Sequence, residues 1–243
     1  MEPQILVLGP IAVRDATGLR PLGGDRTHRF LAALTISANH AVTIDRLVDV
    51  VWGDDPPGDP EGSVHTLASK VRHLLGPDAL LLEDHSYRLV IDPLQVDACR
   101  FERLVDRAQC TGTDDPDATI RGARDGLGLW RGPAYGGLAD VDPFRIEAIR
   151  LEELRVSLAE LLVDAQLATG NTTWAIPMVR SMISESPYRE HLWAMLIRAL
   201  GSAGRRREAA TVYADYAATM AGIGLDPDPA IGAELARALA CDR

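Results

Sequence analysis

Shifted by 34 residues, the C-terminal part of the chain falls on itself: Leu162 onto Leu196, Ala165 onto Ala199, Gly170 onto Gly204 and Ala175 onto Ala209. A helix-turn-helix unit of that length, with a glycine at its turn and a small residue five positions later, is the tetratricopeptide pattern. Such a unit cannot bury its apolar face alone, so the period commits this part of the chain to a stack of helix pairs. Pro187, seventeen residues after Gly170, fits the end of the first unit, whereas Ala221 does not fit the end of the second. A last helix carrying Ile231, Leu235 and Leu239 is expected to close the array.

Helical spacing extends back to Asp97, which can cap a helix bearing Phe101, Leu104 and Ala108. A second helix reaches Leu129-Trp130, and a long amphipathic stretch from Phe144 to about Ala168 carries Ile146, Ile149, Leu151, Leu154, Leu158, Leu161 and Leu162. Before residue 92 the pattern is different. Short strands are expected over Ile5 to Leu8, Ile11 to Arg14 and Leu19 to Leu22, with a turn at Asp15-Ala16-Thr17-Gly18. A first helix holds Phe30, Leu31 and Leu34. A second, capped by Thr43, places Ile44, Leu47, Val48 and Val51 at i, i+3, i+4 and i+7 and stops at Gly53. A third runs from about Ser63 to Leu75, and Leu80 to Leu82 and Tyr87 to Ile91 read as two strands joined by Glu83-Asp84-His85-Ser86. Strands, three helices and a closing hairpin are the order of a winged helix-turn-helix. The fold class expected is therefore an α+β N-terminal winged helix-turn-helix domain, residues 1–92, followed by an all-α tetratricopeptide-like domain, residues 97–243.

The third helix has two faces of opposite chemistry. At 100° per residue Val64, Leu67, Ala68, Val71, Leu74 and Leu75 fill one arc, while Ser63, His65, Thr66, Ser69, Lys70, Arg72 and His73 fill the other. A helix that reads DNA presents short polar groups to base edges and cations to guanine or phosphate, so these seven are candidate DNA contacts. An ordinary solvated face would look the same from the pattern alone. At the start of the first helix, where free backbone N–H groups favour an anion, Thr27 and Arg29 are candidate phosphate contacts. Arg205-Arg206-Arg207 opens a helix at a repeat turn and reads first as a solvated charge run. Trp52, Trp130, Trp174 and Trp193, with Met178, Met182 and Met195, lie in apolar periodic contexts and read as packing residues.

Charge narrows the function classes. The chain of 243 residues has 25 Lys and Arg against 35 Asp and Glu, a net −10, and its basic set is 24 arginines and one lysine. Binding nucleic acid by counterion release alone needs clustered cations, so an unspecific electrostatic binder is excluded, though a locally basic reading surface is not. Cys99, Cys110 and Cys241 make an odd set without a CxxC or a histidine at metal-ligand spacing, so no disulfide framework, metal or cofactor is expected. No apolar run approaches a bilayer span, and Met1-Glu2-Pro3 opens no leader pattern, which reads as a cytoplasmic chain. There is no GxxxxGK[ST] loop, no G-x-S-x-G elbow and no HExxH, and the carboxylates are scattered over polar faces, so the chain is not expected to be an enzyme.

Several stretches, in order and spacing, resemble the Streptomyces antibiotic regulatory protein family of transcriptional activators. They are Ile5-Leu6-Val7-Leu8-Gly9-Pro10, then Leu47 through Pro57 (LVDVVWGDDPP), Ser69 through Gly76 (SKVRHLLG), Leu129-Trp130-Arg131-Gly132-Pro133, Arg150 through Arg155 (RLEELR) and Gly222 through Pro227 (GIGLDP). The resemblance implies a winged helix joined to a bacterial transcriptional activator domain. It also implies sequence-specific binding of promoter DNA by protomers side by side on direct repeats, contact with RNA polymerase holoenzyme, and control of a biosynthetic gene cluster. The chain departs from the pattern at Glu61-Gly62, where Arg-Asn is usual, at Leu67, where an aromatic is common, and in its acidic wing. Through Asp92 there are eight basic and thirteen acidic side chains, a net −5. The alternative reading is a protein-interaction scaffold whose winged helix no longer reads DNA.

Overall fold

The computed structural model describes residues 3–20, 22–112, 114–139 and 141–240. Met1, Glu2, Pro21 and Cys241, on which parts of the sequence reading rest, lie outside the described residues. The chain divides into two compact units. One comprises Met1–Asp106 and Asp125–Ser157, the other Arg107–Arg124 and Leu158–Arg243.

In the first unit, β1 (Gln4–Leu6), β2 (Ala12–Asp15) and β3 (Gly18–Arg20) form an antiparallel sheet in that order, with Ile5 opposite Val13 and Asp15 opposite Gly18. The β2–β3 turn is held by Asp15 Oδ1, which accepts from the backbone N–H and the hydroxyl of Thr17 at 2.7 and 2.6 Å. Gly18 follows at φ 118°, open to glycine without penalty. Three helices come next: α1 (Asp25–Ile36), α2 (Ile44–Trp52) and α3 (Pro60–Leu75). Thr43 caps α2 as expected, its Oγ1 accepting from Arg46 N at 3.2 Å. The second sheet has the order β4-β6-β5, built from β4 (Ala41–Thr43), β5 (Leu80–Glu83) and β6 (Ser86–Leu89). The β4 strand has no counterpart in the sequence reading. It is three residues long with only Val42 buried, too short to leave an alternating signal.

This unit does not end at the hairpin. Asp97, the first residue of α4 (Asp97–Thr111), is buried, and its carboxylate oxygens accept from Val7 N at 2.7 Å and Leu8 N at 3.1 Å. Beyond α5 (Pro116–Leu127), Arg131 N donates to Leu8 O and Tyr135 N to Val7 O, and the Arg131 guanidinium reaches Pro10 O at 2.8 Å and Asp97 at 3.6 Å. Four backbone groups that β1 leaves open past its last pair are thereby satisfied from residues 97, 131 and 135, far along the chain. Sequence spacing reads Asp97 as a helix cap; its carboxylate instead closes this junction. The second helix stops at Leu127, short of Trp130, which packs edge-on against Phe101 with the Arg155 guanidinium 4.9 Å from its ring.

The helix α6 (Phe144–Ala168) passes from the first unit into the second. Its predicted apolar face is corrected at one end: Ile146 and Ile149 are 64% and 56% exposed, while Ala148, Leu151, Leu158 and Leu162 are buried. The second unit continues with α7 (Thr172–Glu185), α8 (Glu190–Ser202), α9 (Arg206–Ala221) and α10 (Pro229–Ala240). The 34-residue offset is visible in hydrogen bonds. Gly170 N donates to Leu167 O and Asn171 N to Gln166 O; 34 residues on, Gly204 N donates to Gly201 O and Arg205 N to Leu200 O. Each pair is a Schellman motif around a left-handed glycine, at φ 76° and 72°. The paired positions 162 and 196, 165 and 199, 175 and 209 are all buried. Trp193 is buried and donates its indole N–H to Pro187 O at 2.8 Å, tying α8 to the close of the preceding unit. On α10 the inward positions are Ile231 and Ala238, and Leu239 is exposed rather than buried as its spacing suggests.

Candidate nucleic-acid interface

The N-terminus of α3 is set by Asp59, whose Oδ1 accepts from Gly62 N at 3.0 Å, followed by Pro60 at the first helical position. That cap starts the helix three residues before the expected Ser63. It also accounts locally for glycine at 62, because a Cβ there would stand 2.1 Å from Asp59 Oδ2. Val64, Leu67, Ala68 and Val71 are buried beneath the helix, and Gly76 at φ 108° ends it. The apolar arc read from the sequence is thus the inward face, with Leu74 and Leu75 at its margin.

The seven outward candidates divide into two groups. Thr66, Ser69, Lys70 and His73 are exposed, at i, i+3, i+4 and i+7 on one stripe, with Ser63 half-buried beside them. His65 and Arg72 instead turn toward the hairpin and grip Tyr87. The His65 Nδ1 lies 2.7 Å from the Tyr87 hydroxyl, and the two rings meet edge to face at 5.9 Å. The Arg72 guanidinium lies 5.5 Å from the Tyr87 ring centre, and its Nε donates to Leu80 O at 2.9 Å. Burial pushes the Tyr87 phenol above its ordinary range, so it remains a hydrogen-bond donor at neutral pH. On the other side of the ring, His65 Nε2 lies 3.6 Å from Glu61. Glu61 also lies 3.7 Å from His85, which stands with Asp84 at the two-residue tip of the β5–β6 hairpin, both at positive φ. Arg88 is paired with Glu83 on the same hairpin, which leaves its tip without a free cation among these residues.

At the start of α1, Thr27 is 1% exposed and its hydroxyl donates back to Gly23 O at 2.8 Å, so its side chain faces inward. Arg29 is half-buried and bonded through Nε to Asp25 at 3.1 Å. The exposed cation there is Arg26, 5.8 Å from the Trp52 ring centre. A groove between the start of α1, the end of α2 and the first turns of α3 is lined by Gly24, Arg26, Trp52, Ser63, Thr66 and Lys70. Within it the buried Trp52 indole N–H has no hydrogen-bond partner among the described residues. Arg26 and Trp52 escaped the site reading because their meeting joins elements 26 residues apart, and only the cap-position logic at α1 pointed to that place. Among the described residues no group of His, Cys, Asp and Glu is arranged to hold a metal ion, and no helix is long and apolar enough to cross a membrane.

The segment 96–239 matches the Bacterial transcriptional activator domain family. The chain is 30% identical to the regulatory protein AfsR of Streptomyces griseus over 97% of its own length, which is 24% of AfsR. It is 31% identical to the transcriptional regulatory protein MoaR1 of Mycobacterium tuberculosis, covering 95% of this chain and 77% of that protein. The solved structure of Mycobacterium tuberculosis EmbR, in complex with a low-affinity phosphopeptide, superposes with a TM-score of 0.91 at 28% identity, over all of this chain and 66% of that one. The chain belongs to the Streptomyces antibiotic regulatory protein family and carries its bacterial transcriptional activator domain. It spans about a quarter of the length of AfsR.

Proposed function

We propose that this chain is a transcriptional activator whose residues 1–92 form a winged helix-turn-helix that reads promoter DNA, and whose residues 97–243 form a tetratricopeptide-like effector domain. The observation that carries the reading is the stripe Thr66, Ser69, Lys70 and His73 on α3. Lys70, the one lysine of the chain, stands exposed on this stripe without an ion pair among the described residues, in a protein of net −10. Hydroxyls and an imidazole beside a free ammonium are groups that reach base edges and a phosphate from the major groove. Arg26 and the start of α1 flank the same groove and suit a backbone phosphate. His65 and Arg72 serve the interface indirectly, as the tie between the reading helix and the hairpin. Protomers side by side on direct repeats call for a head-to-tail contact rather than a two-fold one, and the second domain is the part assigned to holoenzyme.

Fluorescence anisotropy with the DNA upstream of the adjoining gene cluster, against scrambled competitor, tests the reading. Selective binding is expected. Equal affinity for scrambled DNA, or none at low salt, contradicts it and favours the scaffold.

A further inference from the structure

Thr66 is exposed at the first position of the polar stripe, and its hydroxyl proton is already committed. Its Oγ1 donates to Gly62 O, one turn back, at 2.9 Å. A β-branched side chain carries two groups on Cβ, and when the oxygen folds back on the i−4 carbonyl the methyl takes the other branch. That bond uses the one proton the side chain can donate and leaves Oγ1 an acceptor, and what the β-branch adds to the stripe that a serine would not is the methyl Cγ2. Gly62 is itself held at the helix start, its N–H donating to Asp59 Oδ1 at 3.0 Å, and a Cβ there would displace that capping carboxylate. On a surface of hydroxyl, ammonium and imidazole, one fixed methyl is a chemical contrast. In the major groove the one base-edge feature that a methyl recognises is the C5-methyl of thymine.

We propose that Thr66 is a specificity-determining residue that reads thymine by methyl-to-methyl contact. This rests on the DNA-reading function above, and the experiment separates the two. A duplex site is first selected from a random pool with the full chain. Each thymine of that site is then replaced singly by deoxyuridine, which removes the C5-methyl and nothing else. One thymine in each half-site is expected to be sensitive, with binding weakened about 3- to 10-fold. Thr66→Ser, which keeps the back-bonded hydroxyl and loses the methyl, is expected to bind thymine and uracil sites alike, at the weakened level. Thr66→Val, which keeps a methyl and loses the bond to Gly62, is expected to retain the sensitivity. Indifference of the wild-type chain to uracil at every thymine, with selective binding intact, overturns the assignment of Thr66 alone. So does a Thr66→Ser chain as sensitive as wild type. Failure to select any site overturns the reading function and this inference with it.

Discussion

Arg72 ties α3 to the β5–β6 hairpin through Leu80 and Tyr87. Angular position alone puts it on the outward arc of α3 beside Lys70, where a bidentate contact with guanine would suit it. In the structure its Nε is committed to Leu80 O and its guanidinium lies over Tyr87. Replacing it by Ala is expected to cost about 1–2 kcal/mol of stability, read as a lower denaturation midpoint, because a bond to a charged donor and a cation–π contact are lost together. The selected base preference should stay unchanged, whereas loss of preference at one base pair would restore the guanine contact. Asp97 is the opposite case, a residue whose role the sequence could not reveal. Its partners are backbone N–H groups about ninety residues away. Asp97→Ala leaves two buried donors unpaired and should cost about 2–4 kcal/mol. Burial also pushes its carboxyl above the ordinary range, against the pull of the Val7 and Leu8 N–H groups and Arg131. A raised folded-state value gives stabilisation that is full below the unfolded carboxyl's titration and declines as pH rises through the folded one. Thermal melts from pH 3 to 7 should show that decline in the wild-type chain and lack it in Asp97→Asn; parallel profiles would contradict it.

Elements were legible where their signals are local. Thr43 before an i, i+3, i+4, i+7 run placed α2 to the residue, and the 34-residue offset placed both Schellman turns at Gly170 and Gly204. Features made by partners elsewhere in the chain were not legible. The strand β4 exists because β6 offers it a ladder, and the exposure of Ile146 and Ile149 depends on what α6 packs against rather than on its own period. Close approach of helices is equally invisible in sequence. At Gly201 on α8 an added Cβ would stand 2.6 Å from the Ala238 Cβ and 2.9 Å from its Cα on α10. Backbone must therefore move to admit it. Gly201→Ala is expected to destabilise by about 1–3 kcal/mol despite the better helix propensity of alanine, and an unchanged denaturant midpoint would refute that packing.

For the whole molecule, the fold class was readable as a mixed N-terminal part with small sheets followed by helices, but the contact division does not follow the line at residues 92 to 97. Val7 and Leu8 take their partners from Asp97, Arg131 and Tyr135, so the proposed DNA-reading domain is completed from beyond that line. A fragment of residues 1–92 should consequently lose its Trp52 fluorescence signal at lower denaturant than the whole chain does. If the exposed stripe of α3 meets DNA, Lys70, the one lysine in a chain of arginines, should touch a phosphate. The decisive measurement is the dependence of the DNA association constant on salt for wild type and Lys70→Ala, at matched stability. Loss of one phosphate contact should make the logarithmic slope shallower by about one and weaken all sequences alike. Identical slopes and affinities for the two chains would place the DNA elsewhere.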